Sequence, residues 1–432
     1  MINRKKQRFN RTDREDEEER SYPIGRFLLL FFLLLVIHNY ANRSLPSQEE
    51  YPPVEESEEP FELDEASFST DFSMMEREQF WEEEGMHPLR LWEDPQYLAL
   101  QPDTALGRVI AQLLERHHPD GAFWMLSDGK SNRLLAWGQY SDSTLQRDPE
   151  FASRTTFPAA SIAKIVTAAA AFESGRYSPE STQRLVGRST TLYNRQLRVH
   201  ASEGHPVSLT RAFALSMNAP MALFGRELGA QRLKKTAKKL GFNLQLSPQL
   251  PLQSQYAPPD TGYGLAEAAC GFTRSITLSP LQASGMAYTV FTGKPWTPAW
   301  SPNGPQNRFP DRPISPQPAL DRQTIAHLRT LFDATATSGT SRSALRKTIY
   351  SNYRSRVAVG GKTGSLDGRD PWGRYDWFVG YAYDKNDREN GVIITVMQYH
   401  RRLRSLPASQ VAGVLVNHWA KYYLDRNKSV GS

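Results

Sequence analysis

The 432-residue chain carries a single cysteine, Cys270. One cysteine excludes an internal disulfide and any metal site built from several thiolates. Neither H-E-x-x-H nor C-x-x-C occurs, so no metal or cofactor is expected. No G-x-S-x-G elbow is present, and a hydrolase of the Ser-His-Asp type lacks its mark. His117, His118, His200 and His205 show no ligand spacing and read as surface residues. Internal repeats are absent, and only residues 27–37 form a long unbroken apolar run. What is there fits a globular protein with polar tails: 39% hydrophobic and 23% charged residues, in a chain long enough for a large core.

Charge is segregated. Residues 1–47 carry a net +3, residues 48–84 carry −14, and residues 85–432 are left with +17. A basic globular part beside an acidic tether attracts anionic surfaces or the tether itself. The plainer reading of the tether is a solvated, self-repelling spacer. The basic residues are spread out with no recognition motif, which argues against a nucleic-acid partner.

The apolar run 27–37 follows Arg4, Lys5, Lys6, Arg8, Arg11, Arg14, Arg20 and Arg26, and only Arg43 comes soon after it. That asymmetry predicts an N-terminus kept in the cytoplasm and a remainder sent across the membrane. Flanking residues extend the run to roughly the 18–20 positions that a spanning helix needs. Only Ala41 offers a small residue for cleavage, so an uncleaved anchor is favoured over a removed signal. The domain plan is a basic cytoplasmic tail (1–26), a signal-anchor helix (27–41), an acidic, disordered or extended tether (42–85) and a catalytic domain (86–432). The expected location is a bacterial cytoplasmic membrane, single-pass, with the domain outside.

Within that domain, Leu106, Ile110, Leu113 and Leu114 predict a helix over 104–116. Apolar runs at 121–126 and 133–138 around Ser127-Asp128-Gly129-Lys130 read as strand, turn, strand. A helix-rich middle spans about 159–292, a proline-dense loop covers 295–318, and 320–334 is again helical. Strand signals at 357–361, 376–383 and 391–400 precede a final helix over 408–424, with Val411, Leu415, Trp419 and Tyr422 on one face. Strands at both ends with helices between predict an α+β fold: one antiparallel sheet with a helical insert.

Three short motifs carry the chemistry. Pro158 opens a helix in which Ser161 falls in the first turn and Lys164 shares its face at i+3. A buried lysine near other cations has a lowered pKa and can take the serine proton. Ser216-Met217-Asn218 sets a hydroxyl two residues from a carboxamide, suited to relaying a proton and to holding the Lys164 amine. Taken alone, it reads more readily as a helix end before Pro220 than as a site. Lys362-Thr363-Gly364-Ser365 continues a strand, with an ordinary turn as the bland alternative. Lys362 and Thr363 can hold a carboxylate, and Gly364 leaves room for a substrate backbone to add to the strand. The N–H groups of Ser161 and Ser365 are candidates for an oxyanion hole. Cys270, among Ala268, Ala269 and Gly271, reads as packing.

In this order the motifs resemble the transpeptidase domain of penicillin-binding proteins. The likeness extends to Ser216-Met217-Asn218-Ala219-Pro220, to Leu278-Ser279-Pro280-Leu281-Gln282-Ala283, to Ser338-Gly339-Thr340-Ser341 and to Asp376-Trp377-Phe378-Val379-Gly380-Tyr381, and covers roughly 104–425. The resemblance implies a five-stranded antiparallel sheet flanked by helices, with an inserted all-helical subdomain. It implies a membrane-anchored D,D-transpeptidase acylated at Ser161 by D-Ala-D-Ala stem peptides and by β-lactams. Lys164, Ser216, Asn218 and Lys362 would be the other catalytic residues, and Thr363, Gly364 and Ser365 would bind substrate. A D,D-carboxypeptidase, a β-lactamase and a non-catalytic penicillin-binding scaffold or sensor remain alternatives. No E-x-x-N lies between Ser161 and Lys362, so a deacylating carboxylate of that type is not apparent. The stretch between anchor and domain is too short and polar for a glycosyltransferase domain, which points to a separate glycosyltransferase as partner. Ser365 and Ser279 replace usual threonines, and 268–271 departs from the usual A-L-G.

Overall fold

The computed structural model describes residues 104–132, 134–141, 152–198, 200, 202–245, 252–296, 317–402, 404 and 406–424. The tail, the signal-anchor segment, the acidic tether and most of the proline-dense loop lie outside the described residues. Among the described residues, no helix is long and apolar enough to cross a membrane.

In chain order the elements are α1 (Thr104–His117), β1 (Gly121–Asp128), β2 (Leu134–Ser141), a 3-10 turn (Ala160–Ala163), α2 (Lys164–Glu173), β3 (Thr182–Leu185), a second 3-10 turn (Asn194–Leu197), β4 (His205–Ser208), α3 (Leu209–Ala214), α4 (Asn218–Leu228) and α5 (Ala230–Lys239). They continue as β5 (Ser254–Gln255), α6 (Gly262–Cys270), β6 (Thr277–Leu278), α7 (Pro280–Thr292), α8 (Arg322–Thr337), α9 (Arg342–Thr348), α10 (Ser351–Arg354), β7 (Val357–Arg369), β8 (Trp372–Asp384), β9 (Asp387–His400) and α11 (Ala408–Trp419). The main sheet is antiparallel throughout, ordered β2-β1-β9-β8-β7. Both chain ends build it, as the strand signals predict. The pairs β3–β4 and β5–β6 were not anticipated: their two- to four-residue strands are too short to show a period.

Two cores flank the sheet. Phe123, Met125, Trp377, Val379, Met397 and Tyr399 face the helical layer that contains α2, α4 and α7. Trp124, Phe378, Ile394 and Val396 face the other way, against Leu106, Ile110 and Leu114 of α1 and Val411, Leu415 and Trp419 of α11. Alternation along each strand produces this split, because successive side chains leave opposite faces. Burial on both faces explains why β1 and β9 read as continuous apolar runs. The predicted final helix ends at Trp419 and passes into a π-turn, Ala420–Leu424. Tyr422 there lies against the His418 ring rather than in the core stripe.

Local chemistry sets the helix starts. The Ser279 hydroxyl accepts from the Gln282 N–H (3.0 Å) and donates to Gln253 (2.9 Å), while Pro280 occupies the first turn of α7. The serine thus keeps the hydroxyl that capping requires. Asp321 caps α8 through the Thr324 N–H at 2.7 Å. Asp376, 2% exposed, accepts from Arg404 (Nε 3.1 Å, Nη2 2.8 Å) and from the Ala408 N–H (2.7 Å) at the start of α11. Burial pushes the Asp376 carboxyl pKa up, and Arg404 pulls it back. Asp376→Asn leaves part of this buried set unpaired, so urea unfolding should show a loss of about 1–3 kcal/mol.

Candidate active site

The chain approaches Ser161 under tight restraint. The Ala159 N–H donates to the Ile276 carbonyl (2.9 Å), the Leu278 N–H to the Phe157 carbonyl (2.9 Å), and the Trp377 indole N–H to the Pro158 carbonyl (3.1 Å). Ala160 then adopts φ 48°, a left-handed conformation costly for an L-residue with a Cβ. Ser161 follows inside the 3-10 turn, and α2 begins only at Lys164. The sequence placed Ser161 in the first α-helical turn. The tighter turn has three residues per revolution, so positions i and i+3 eclipse. Ser161 and Lys164 are therefore stacked, with Nζ 2.7 Å from Oγ.

The Lys164 side chain is fully buried. Besides Ser161 it reaches the Asn218 Oδ1 (2.8 Å) and the Cys270 carbonyl (2.7 Å). Burial pushes its pKa down to about 8. Asn218 Oδ1 and the Cys270 carbonyl can only accept, whereas the Ser161 hydroxyl can also donate. A neutral amine has two N–H groups and one lone pair. It satisfies all three neighbours by donating to the first two and accepting from Ser161.

Cys270 ends α6, and its carbonyl is one of the orphan acceptors of a helix C-terminus. Its thiol is buried, which pushes the thiol pKa up and keeps it neutral. The packing role expected of the side chain stands beside a backbone role that the sequence did not reveal. Gly271 has φ 70°, and a Cβ there would lie 1.9 Å from the Ala160 carbonyl oxygen. Only glycine lets the end of α6 close on the Ser161 turn. The glycine after a helix was the available signal.

Asn218 opens α4, just after Ser216, itself at φ 55°. Its Nδ2 donates to the Thr190 carbonyl (2.7 Å) and its backbone N–H to the Ser189 carbonyl (2.8 Å). Those two carbonyls belong to a loop that carries no motif. Lys362, on edge strand β7 and fully buried, donates to the Ser216 Oγ (2.9 Å) and the Thr363 carbonyl (2.7 Å), with Nζ 5.4 Å from the centroid of the Phe213 ring. Burial, then the nearby Lys164, pushes its pKa well down. Sequence reasoning divided the lysines into a neutral Lys164 and a charged Lys362. Burial instead disfavours charge on both.

The remaining residues of the third motif take different partners. Lys362 reaches Ser216, whereas the hydroxyls of Thr363 and Ser365 bond groups outside the three motifs. Gly364 abuts the nucleophile turn: a Cβ there would lie 3.1 Å from Ile162 Cγ1 and 3.4 Å from the Ala159 carbonyl oxygen. Its lack of a side chain therefore serves the approach of Ser161, a reason the strand-addition argument did not contain. The Thr363 hydroxyl bonds that of Thr340. Ser365 Oγ accepts from Arg374 Nε (2.9 Å), and Arg374 also pairs with Asp367 (3.1 Å). Thr340 lies in the Ser338–Ser341 stretch that carries part of the family likeness, whereas Arg374 was not singled out, because its relevance depends on sheet pairing.

Residues 122–413, about two thirds of the chain, match the family model for the penicillin binding protein transpeptidase domain. The chain belongs to that family. Among curated proteins, this penicillin-binding protein domain is 28% identical over 203 residues to the peptidoglycan D,D-transpeptidase PbpA of Mycolicibacterium smegmatis, covering 45% of this chain and 40% of the relative. The PbpA of Mycobacterium tuberculosis is 26% identical over 206 residues, again 45% of this chain and 40% of the relative. The chain thus spans about two fifths of the length of the curated relatives it matches. The fold resembles penicillin binding protein 3 of Mycobacterium tuberculosis complexed with aztreonam, with TM-score 0.56, 18% identity, and 76% of this chain and 77% of that chain covered. The apo form of the same protein gives TM-score 0.54 at 18% identity, with 75% and 77% covered.

The close pass at Gly271 gives a direct test. Gly271→Ala combines a left-handed φ with an overlap against backbone, so it should lower stability by more than about 2 kcal/mol in chemical denaturation. An unchanged unfolding midpoint would contradict that reading.

Proposed function

We propose that this chain is a membrane-anchored peptidoglycan D,D-transpeptidase, acylated at Ser161 by D-Ala-D-Ala stem peptides and by β-lactams. The observation that carries the reading is the fully buried Lys164 amine, 2.7 Å from Ser161 Oγ, with two further partners that can only accept. Its remaining lone pair is directed to the serine proton.

In the acylation step Ser161 Oγ bonds to the carbonyl carbon of the penultimate D-alanine, and its proton passes to Lys164. The backbone N–H groups of Ser161 and Ser365 are assigned to the developing oxyanion. The C–N bond then breaks, and the leaving D-alanine nitrogen takes a proton delivered through the Ser216 hydroxyl. An acceptor amine attacks the acyl carbon and loses its proton to the Lys164 amine, which passes that proton to Ser161 Oγ as the ester C–O bond breaks. Lys362, whose charged form burial disfavours, holds its proton more firmly when a substrate carboxylate arrives, because an anion offsets its burial cost. Thr363 and Ser365, the latter tied to Arg374, are assigned to that carboxylate. Gly364 keeps β7 close to the nucleophile turn.

The apolar run 27–37 and its basic leader support a single-pass anchor in a bacterial cytoplasmic membrane, with the domain outside. A separate glycosyltransferase is the proposed partner, tested by co-purification from membranes.

A fluorescent penicillin should label the protein covalently. Ser161→Ala should abolish the label, and Lys164→Ala should stop acylation with the fold intact by circular dichroism. Asn218→Ala and Thr363→Ala should slow it less. Absence of label on the wild-type chain would sink the reading, and loss of label within seconds would turn it towards β-lactam hydrolysis. Products from a pentapeptide with an amine acceptor then distinguish cross-linking from trimming.

The base must be unprotonated to act. With a Lys164 pKa of about 8, the acylation rate should rise about tenfold per pH unit below that value and level off above it. A rate flat from pH 6 to about 9 would remove Lys164 as the base.

A further inference from the structure

Asn218 can aim either end of its carboxamide at Lys164, and the two ends are nearly the same shape. The Thr190 carbonyl decides between them. It accepts from Nδ2 and leaves Oδ1 facing the lysine. Thr190 sits in the loop 186–193, where Gly187, Arg188, Thr190 and Tyr193 are all exposed. Leu192 anchors one end of the loop in the core, and its carbonyl accepts from the Tyr263 hydroxyl (2.6 Å), but the arm that carries Ser189 and Thr190 lacks such an apolar anchor. That arm is ordered by hydrogen bonds.

Gln196 lies beneath that loop, 1% exposed. Its Nε2 donates to the Val186 carbonyl (2.7 Å) and to the Arg188 carbonyl (3.0 Å). Its Oε1 accepts from the Tyr193 N–H (3.0 Å) and lies 3.1 Å from the Thr191 hydroxyl, which is also 3.0 Å from the Arg188 carbonyl. One buried carboxamide thus uses its whole hydrogen-bonding capacity on both arms of the loop. The span it closes presents the adjacent Ser189 and Thr190 carbonyls to the backbone and side chain of Asn218.

We propose that Gln196 is a positioning residue for the acylation step, holding the 186–193 loop so that Asn218 keeps its oxygen on the Lys164 amine. It touches no reacting atom. The inference rests on the functional reading of Ser161 and Lys164, but its central measurement does not require turnover. With the loop slack, the Asn218 carboxamide rotates freely and water reaches Lys164. Relief of burial moves the lysine pKa back towards its ordinary value.

The test uses the full chain with isotopically labelled lysine, and four variants: Gln196→Met, Thr191→Val, Asn218→Ala, and Gln196→Met with Asn218→Ala. Nuclear magnetic resonance follows the Lys164 side chain against pH, and a fluorescent penicillin reports the acylation rate constant. Gln196→Met should raise the Lys164 midpoint from about 8 by roughly half a unit or more and slow acylation roughly tenfold. Thr191→Val, which removes a single hydroxyl, should shift both the same way by less, and it serves if Gln196→Met does not fold. The double variant should be no slower than Asn218→Ala alone, since Gln196 acts through that residue. An unmoved Lys164 midpoint, or effects that multiply in the double variant, overturns the proposal. If wild type takes no penicillin, the functional reading fails while the lysine titration still decides the positioning.

Discussion

The Nζ of Lys164 occupies a buried pocket in which its hydrogen-bonding partners come from different parts of the chain. Ser161 comes from the turn before α2, Asn218 from the start of α4, and the Cys270 carbonyl from the end of α6. An amine without water is costly unless it is fully paired, and it is more costly still when charged. That one constraint accounts for much of the surrounding structure. α6 must stop where its last carbonyl is exposed to the lysine, so Gly271 follows. The chain must bring Ser161 over Lys164, so a 3-10 turn replaces the first turn of α-helix. The Asn218 carboxamide must not rotate, so a loop carbonyl holds its other end.

The same pocket stores conformational cost at several points. Ala160 and Ser216 both lie in the left-handed region, one beside the nucleophile and one beside the second motif. Neither residue is glycine. The restraints around them explain why these conformations persist: the hydrogen bonds of Ala159, Pro158 and Phe157 on one side, and the close succession of α3 and α4 on the other. Strand β7 has no such freedom. It is held along its length by β8, and its edge presents the backbone beside Ser161 through Gly364.

Two buried lysines in one site alter the electrostatic picture drawn from the motifs alone. Burial disfavours the charged form of both, and Lys164 adds to that effect at Lys362. On the opposite face of the sheet, Asp376 and Arg404 tie the start of α11 to β8. That contact keeps the second core in register with the strands that carry the site.

Residue spacing determined a good deal by itself. Alternating and helical periods placed the five main strands and the helices α1 and α11, because repeated burial on one face writes itself into composition at fixed intervals, while the helices between residues 159 and 292 read only as one helix-rich stretch. The motif order brought Ser161, Lys164, Ser216, Asn218 and Lys362 forward as one set, because hydroxyl, amine and carboxamide side chains at fixed spacing are legible in a sequence. Tertiary structure alone decided the rest: the 3-10 geometry under Ser161, the Cys270 and Thr190 carbonyls, the support from Gln196, and the contacts of Thr363 with Thr340 and of Ser365 with Arg374. Backbone carbonyls are common to every residue, so no side-chain pattern marks the ones that matter. The burial that sets the lysine pKa values belongs to neighbours distant along the chain, and it exists only once they have packed.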